Sequence, residues 1–239
     1  MIKNLHLYIS LFFLSRYYIT KDIIYILKKY HLKGSIIDIG CGSKPYEPIF
    51  KKYSNITQYN GIDFPSYSIN KDFTSSKPDY TFTKEYTASL QLPFPNKKFS
   101  NSVAFQVLEH HPQPEKLIKE MVRITKNKGK IIITAPFIWA LHELPHDYFR
   151  FTEYGLRELF EKNNCKIIKI TKQGSLFSVI SMLLNEELNN FASKGKLYYV
   201  ISIIIYAPFL LYQYCCLILD QLYKSKYVHL NYLVLAEKK

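Results

Sequence analysis

The sequence has little glycine, little arginine and a single tryptophan. Eight glycines and eleven prolines in 239 residues exclude a collagen-like or linker-dominated chain. The four cysteines, Cys41, Cys165, Cys215 and Cys216, form no C-x-x-C pair. That argues against a disulfide scaffold or a structural zinc site and fits a reducing, cytoplasmic compartment. Arginine occurs only at Arg16, Arg123, Arg150 and Arg157, too few for a groove that reads nucleic acid, so no nucleic-acid partner is expected. Against these shortages stand 48% hydrophobic and 21% charged residues, the balance of a folded chain. At about 150 residues per domain the length gives one domain with an appendage.

The net charge of +13 is uneven. In residues 1–35, Lys3, Arg16, Lys21, Lys28, Lys29 and Lys33 stand against Asp22 alone. In residues 191–239, Lys194, Lys196, Lys224, Lys226, Lys238 and Lys239 stand against Asp220 and Glu237. Both flanks are also apolar and aromatic, a combination that suits an anionic membrane surface better than a nucleic acid.

The pattern predicts one or two amphipathic helices over residues 4–31, with Ile23, Ile24, Ile26 and Leu27 inward and Gly34 as C-cap. Ser35 to Ile39 is a short β-branched run that ends in a glycine turn. Further strands are expected at 59–63, 79–83, 102–108, 130–135, 166–171 and 231–236. Helices are expected at 114–126 and, with Thr152 as N-cap, at 152–163. Strands and helices at this spacing make an open α/β sheet with crossover helices. Residues 175–227 break the rhythm. Leu197 to Leu219 carries no charge, the length of a membrane span, but Pro208, Gln213 and five tyrosines weigh against a span. A peripheral contact with the inner face of the plasma membrane is expected, ahead of a buried cap or homodimer face. The expected division is 1–33 helices, 34–174 core, 175–227 apolar helical insertion and 228–239 final strand.

The chemistry concentrates in Asp38-Ile39-Gly40-Cys41-Gly42. In open α/β sheets the ligand site is the crevice beyond the strand carboxyl ends, and glycines there let a ligand approach the backbone. Asp38 sits just before the turn, a poor place for a carboxylate unless something cationic or hydroxyl-bearing meets it. Asp63 ends the next strand, where an acid reaches ribose hydroxyls. The third glycine of a dinucleotide fingerprint is missing, since Ser43-Lys44-Pro45 follows, so a ligand without pyrophosphate fits better.

These residues resemble class I S-adenosylmethionine-dependent methyltransferases of the small-molecule branch often called type 11. The likeness runs from about Gly34 to Thr171 and is carried by the glycine turn, Gly61-Ile62-Asp63, Leu92-Pro93-Phe94, Gln106-Val107-Leu108-Glu109-His110 and Gly129-Lys130-Ile131. It implies a seven-stranded, mostly parallel Rossmann-like sheet with helices on both faces and the seventh strand inserted antiparallel. It implies S-adenosyl-L-methionine as cofactor: Asp38 at the methionine amine, Gly40, Cys41 and Gly42 beneath, Asp63 on the ribose, Phe64 by the adenine, and Gln106 along the methionine portion. The sequence departs from the pattern at Ala88-Ser89, where an acid often meets the adenine amine, and at Phe99-Ser100.

His142-Glu143-Leu144-Pro145-His146 matches the zinc-protease pattern H-E-x-x-H, but Pro145 disfavours the helix that the metal geometry requires, and no metal is expected. As a loop over the sheet edge the same stretch supplies His142 or His146 as general base, with Trp139, Tyr148 and Arg150 on the acceptor. His110 is the third candidate base. The loop is similar to a subgroup associated with bacterial cell-surface polysaccharide synthesis. The expected activity is therefore O-methylation of a sugar or other small or lipid-linked acceptor. A lipid or quinone methyltransferase and a non-catalytic cofactor-binding scaffold are the alternatives.

Overall fold

A computed structural model of the chain describes residues 13–63, 78–81 and 91–239. Helix α1 (Phe13–Tyr30) buries Ile23, Ile26 and Leu27 at the spacing of one helical face, while Ile24 is only half-buried. Its C-cap is His31 and not Gly34. His31 has φ +47°, and its N–H reaches the Leu27 carbonyl at 3.2 Å. Gly34 lies inside β1 (Lys33–Ile39) at φ +77°, where a Cβ would come within 2.4 Å of Ser100 Oγ.

There follow α2 (Glu47–Tyr53), β2 (Asn55–Asp63), β3 (Tyr80–Thr81), β4 (Phe99–Phe105), a 3-10 turn (Leu108–His110), α3 (Pro114–Ile124) and β5 (Thr125–Pro136). Then come α4 (Glu153–Lys162), β6 (Cys165–Gln173), α5 (Leu176–Ser193), α6 (Lys196–Leu222) and β7 (Asn231–Lys238). The seven strands form one sheet in the order β3-β2-β1-β4-β5-β7-β6. The β2–β3, β1–β2, β1–β4 and β4–β5 pairs are parallel. Strand β7 runs against β6, because Leu230 N–H meets the Gln173 carbonyl at one end and Lys239 N–H meets the Asn164 carbonyl at the other. The strands are apolar on both faces: Ile36, Ile37, Val103, Ile132, Leu233 and Leu235 are all fully buried, as a helix-covered sheet requires.

The expected helix over 114–126 closes at Ile124 and buries Leu117, Ile118, Met121 and Ile124. Thr152 caps α4, its hydroxyl accepting the Gly155 N–H at 3.1 Å. The fourth strand was expected to reach Leu108 but stops at Phe105. Gln106 has φ +56° and turns the chain into the 3-10 turn. Residues 4–12, 82–83 and 88–89 of the sequence reading lie outside the described residues.

The chain divides into two compact units. One comprises Thr20–Ala135, Glu143–Thr171 and Tyr232–Lys239, with most of the sheet. The other comprises the chain up to Ile19, Pro136–His142 and Lys172–Asn231, and it is dominated by the α5–α6 hairpin. Among the described residues no helix is long and apolar enough to cross a membrane. The hairpin is held at its open end by Asp220 on α6. Its carboxylate accepts the N–H groups of Ser175, Phe177 and Ser178 at 3.0–3.4 Å, the Tyr18 hydroxyl at 3.1 Å and the Ser178 hydroxyl. These N–H groups are the orphan donors of the first turn of α5, so an acid from the neighbouring helix does the work of a cap.

Candidate active site at the carboxyl ends of β1, β2 and β4

Strand β1 delivers Asp38 to the sheet edge almost fully buried, and β2 delivers Asp63 beside it. Gly40, Gly42 and Lys44 have φ +66°, +50° and +55°, so the loop between β1 and α2 is built from left-handed residues. Gly40 N–H and Cys41 N–H both point back to the Ile62 carbonyl, at 2.9 and 3.3 Å. Gly42 N–H donates to Asp63 Oδ2 at 2.5 Å, which fixes the second acid against the loop. A Cβ on Gly40 would meet Val107 at 2.4 Å, whereas one on Gly42 would meet nothing within 4 Å. The loop is closed beneath Gly40 and open above Gly42. Cys41 fills the space that Gly61 leaves, with its Sγ 2.5 Å from where a Gly61 Cβ would stand, and burial raises its thiol pKa. It is packing, not a nucleophile.

Three residues that the sequence reading did not assign to the site complete this end of the sheet. Tyr59 donates its hydroxyl to Asp38 Oδ2 at 2.5 Å, and buried Lys44 pairs with Asp79 at 2.7 Å while Asp79 also accepts the Gly61 N–H at 2.7 Å. Lys44 was visible as a cation three residues after the glycine turn, but Tyr59 and Asp79 gave no local signal. The other Asp38 oxygen, Oδ1, is buried and has no hydrogen-bond partner. Burial pushes the Asp38 pKa up to about 8; the Tyr59 hydrogen bond works against this and the nearby Asp63 adds to it. A buried carboxyl with one unmet oxygen, beside a glycine whose outward side is open, fits a ligand that ends in an ammonium group.

Val107 joins this hollow to a second cluster, since its carbonyl accepts the His110 N–H of the 3-10 turn at 3.1 Å. Glu109 is fully buried, neither carboxylate oxygen has a hydrogen-bond partner, and burial raises its pKa to about 8. The Glu109 carbonyl accepts the N–H groups of Tyr148 and Phe149 at 2.9 and 3.3 Å, docking the post-β5 loop onto the turn. His110 Nδ1 lies 2.8 Å from the His146 carbonyl, and its Nε2 faces Glu109 at 3.9 Å and Glu143 at 3.7 Å. A carbonyl accepts only, so Nδ1 carries the proton and, in the neutral ring, Nε2 carries the lone pair. His146 is exposed, with Nδ1 3.1 Å from the Tyr148 hydroxyl. Both guanidinium NH2 groups of Arg150 engage Asp147, at 2.6 and 2.7 Å. His142 and Trp139 belong to the other unit, where His142 Nδ1 is 3.1 Å from the Ala140 carbonyl and the two rings lie 6.0 Å apart. Residues 142–146 form no helix, so the H-E-x-x-H spacing does not present its histidines on one helical face. The backbone of Gln106 is tied to Thr134 at 3.1 Å, and its buried Nε2 has no partner. Phe64 lies outside the described residues.

Residues 37–133, the span that carries this hollow and the turn, match the family described as methyltransferase domain. The chain carries a methyltransferase domain. That match covers about two fifths of the chain. No curated protein matches the sequence. Solved structures share the fold at low identity. The [4+2]-cyclase SpnF is 16% identical with TM-score 0.58, over 92% of this chain and 80% of that one. Phosphoethanolamine N-methyltransferase 2 of Haemonchus contortus, in complex with S-adenosyl-L-methionine, is 17% identical with TM-score 0.53, over 96% of this chain and 57% of that one. YcgJ of Bacillus subtilis is 12% identical with TM-score 0.52, over 92% and 97%. A cyclase and a methyltransferase on one fold leave the reaction and its acceptor to be argued from this chain's own residues.

The two raised carboxyls give the cofactor-free protein a pH dependence of definite sign. An ordinary carboxyl in the unfolded chain titrates near 4. The folded state therefore holds protons up to about pH 8 that the unfolded state has lost, and stability falls as pH rises through that window. Below pH 6.5 the buried neutral His111 and His229, both with lowered pKa, act in the opposite sense, so pH 6.5–8 is the clean interval. The thermal midpoint without cofactor is expected to be higher at pH 6.5 than at pH 8, with at most about 1.4 kcal/mol per pH unit from each carboxyl. A calorimetric profile that is flat or rises across the interval rules out the raised pKa values.

Proposed function

We propose that the chain is an S-adenosylmethionine-dependent methyltransferase, that its acceptor is a hydroxyl-bearing small molecule, a sugar of a cell-surface glycan being the class favoured, and that the acceptor oxygen receives the methyl group in the cytoplasm. The observation that carries this reading is the tautomer of His110, whose Nδ1–H is held by the His146 carbonyl while Nε2 is left to take a proton. When bound, S-adenosylmethionine supplies an electrophilic methyl group on a sulfonium. Asp38 would hold the methionine ammonium through Oδ1, the Gly40-Cys41-Gly42 backbone would lie beneath the cofactor, Asp63 would meet the ribose, and Gln106 Nε2 would meet the carboxylate end. His110 Nε2 takes the acceptor's hydroxyl proton, with Glu143 3.7 Å from that nitrogen. Tyr148 supplies flat apolar surface for an acceptor ring. Arg150, braced by Asp147, holds the loop. The likeness of the 139–150 loop to the polysaccharide-linked subgroup supports the glycan class.

A second reading, a lipid or quinone acceptor, is favoured by the exposed aliphatic residues of the α5–α6 hairpin. The test is release of S-adenosylhomocysteine when purified protein meets S-adenosylmethionine with nucleotide-linked or lipid-linked sugars in one set of assays and quinones in another. With the true acceptor, His110→Asn is expected to lower kcat about 100-fold and abolish the acid limb of its pH profile, with cofactor affinity unchanged. His146→Ala is expected to lose far less. Cofactor binding with no product from any acceptor is the result expected of a non-catalytic scaffold.

A further inference from the structure

We propose that the outer face of the α5–α6 hairpin seats on a membrane surface rich in anionic lipid, lying along it and not through it. The inference goes beyond the methyl-transfer reading and does not rest on it. The two helices carry polar side chains on the inner face and aliphatic ones outside. Helix α5 buries Ser178, Ser181 and Asn185 beside Val179 and Met182, and exposes Ile180, Leu183 and Leu184. Helix α6 buries Gln213 and Asp220 and exposes Leu211, Ile218 and Leu222, the last at 79%. A surface helix in water turns its apolar stripe to the core and its polar side outward. Here the polar side chains face inward, and a run of aliphatic side chains spaced three, four and seven apart is left outside. That is the polarity of a helix whose outer environment is hydrocarbon.

Charge selects the occupant. The hairpin is basic at both ends: Lys194 and Lys196 stand at the turn between the helices, and Lys172, Lys224 and Lys226 at the open end. Between them, residues 197–219 carry no charge. A second copy packed on this face, in either direction, brings lysines against lysines. An anionic lipid surface meets them all with opposite charge. Glu187 is the acid on the outer stripe of α5, next to the basic turn. A helix of 27 residues is roughly 40 Å long, and with basic ends on both sides it satisfies every lysine only by lying in the interface.

The experiment is flotation of the full chain with vesicles of phosphatidylcholine alone or with phosphatidylglycerol added. The expected result is binding to the anionic vesicles at least tenfold above the neutral ones, weakened by salt. Leu211→Ser, Ile218→Ser and Leu222→Ser together are expected to cut that binding at least tenfold. Lys224→Glu with Lys226→Glu is expected to remove several-fold of the anionic preference. S-adenosylmethionine affinity, measured on the same samples, reports that the protein is folded and tests the methyltransferase reading separately. If the serine variant loses that affinity, the exposed lysine pair decides alone. Equal flotation on both vesicle types, or binding untouched by the variants, overturns the proposal. So does absence of flotation in a protein that elutes as a dimer and becomes monomeric in the serine variant, because the face would then belong to a second copy.

Discussion

Asp38→Asn is expected to weaken S-adenosylmethionine binding by about 10³-fold while leaving the fold intact, or even firmer at pH 8. The carboxyl sits almost fully buried at the end of β1 with Tyr59 on one oxygen and nothing on the other. In the variant the amide oxygen still accepts the Tyr59 hydroxyl, so the hydrogen bond that orders the strand end survives. The amide nitrogen replaces Oδ1 and turns donor protons toward a ligand group that itself only donates. Removing one partner of a buried charge pair costs about 2–5 kcal/mol, mostly because the other charge is left unpaired. Affinity should therefore collapse where stability does not. The pH dependence adds a second signature. With its pKa near 8 when no cofactor is bound, the Asp38 carboxyl is mainly protonated at pH 7 and must lose that proton to pair with an ammonium. Binding should release close to one proton at pH 7, tighten by up to about tenfold per pH unit from pH 6 toward 8, and level off above. Titration calorimetry in two buffers of different ionisation enthalpy reads the proton directly. If Asp38→Asn binds as tightly as the parent, or the parent releases no proton, the ammonium does not sit on Asp38.

The cofactor half of this arrangement was legible from the sequence because it is local. One strand, one glycine turn and one acid at the end of the next strand are contiguous patterns, and Asp38, Gly40, Cys41, Gly42 and Asp63 stand together where the topology places them. The open α/β sheet was legible from the spacing of strands and helices, whereas the place of the seventh strand came only with the family resemblance. What the pattern could not carry is contact between distant residues. Tyr59 on Asp38 and Lys44 on Asp79 depend on which side chain a neighbouring strand turns inward. Leu92-Pro93-Phe94 was read only as a motif. Its role is mechanical: Arg123 donates to the Leu92 and Phe94 carbonyls while Glu120 accepts the Leu92 N–H. Element ends also slipped where a single residue takes the left-handed conformation, as His31 does after α1 and Gln106 after β4. Helix α2 was obscured by Pro45 and Pro48. Pro48 sits in the first turn, where the missing N–H costs nothing, and the helix has only seven residues. The acceptor side resisted most. The sequence put His142 or His146 ahead of His110, and no local pattern carries what their ring nitrogens touch.

Asp220→Ala should open the α5–α6 hairpin. At the start of α5 the N–H groups of Ser175, Phe177 and Ser178 converge on one carboxylate, together with the hydroxyls of Tyr18 and Ser178. Alanine leaves all of them without an acceptor. Asp220 is only 4% exposed, so water cannot replace it without the helices parting. Each buried donor left unmet costs about 1–3 kcal/mol. Part of that is recovered by letting the hairpin open, so the net loss is expected near 3 kcal/mol, confined to this unit. Hydrogen exchange of the amides at 175, 177 and 178 should accelerate by roughly 10²-fold, and proteolysis within 176–222 should follow. Burial, with Asp220 close by, raises the Tyr18 hydroxyl pKa. Loss of the carboxylate should bring its titration down toward the ordinary tyrosine range, readable by ultraviolet difference spectra. Asp220→Asn keeps one acceptor oxygen and should fall between parent and alanine in all three measurements. The methyltransferase domain at 37–133 contains neither Asp220 nor any group bound to its carboxylate, so cofactor affinity should persist in the alanine variant. Unchanged exchange at those amides would mean that the carboxylate is a bystander and that packing alone closes the hairpin.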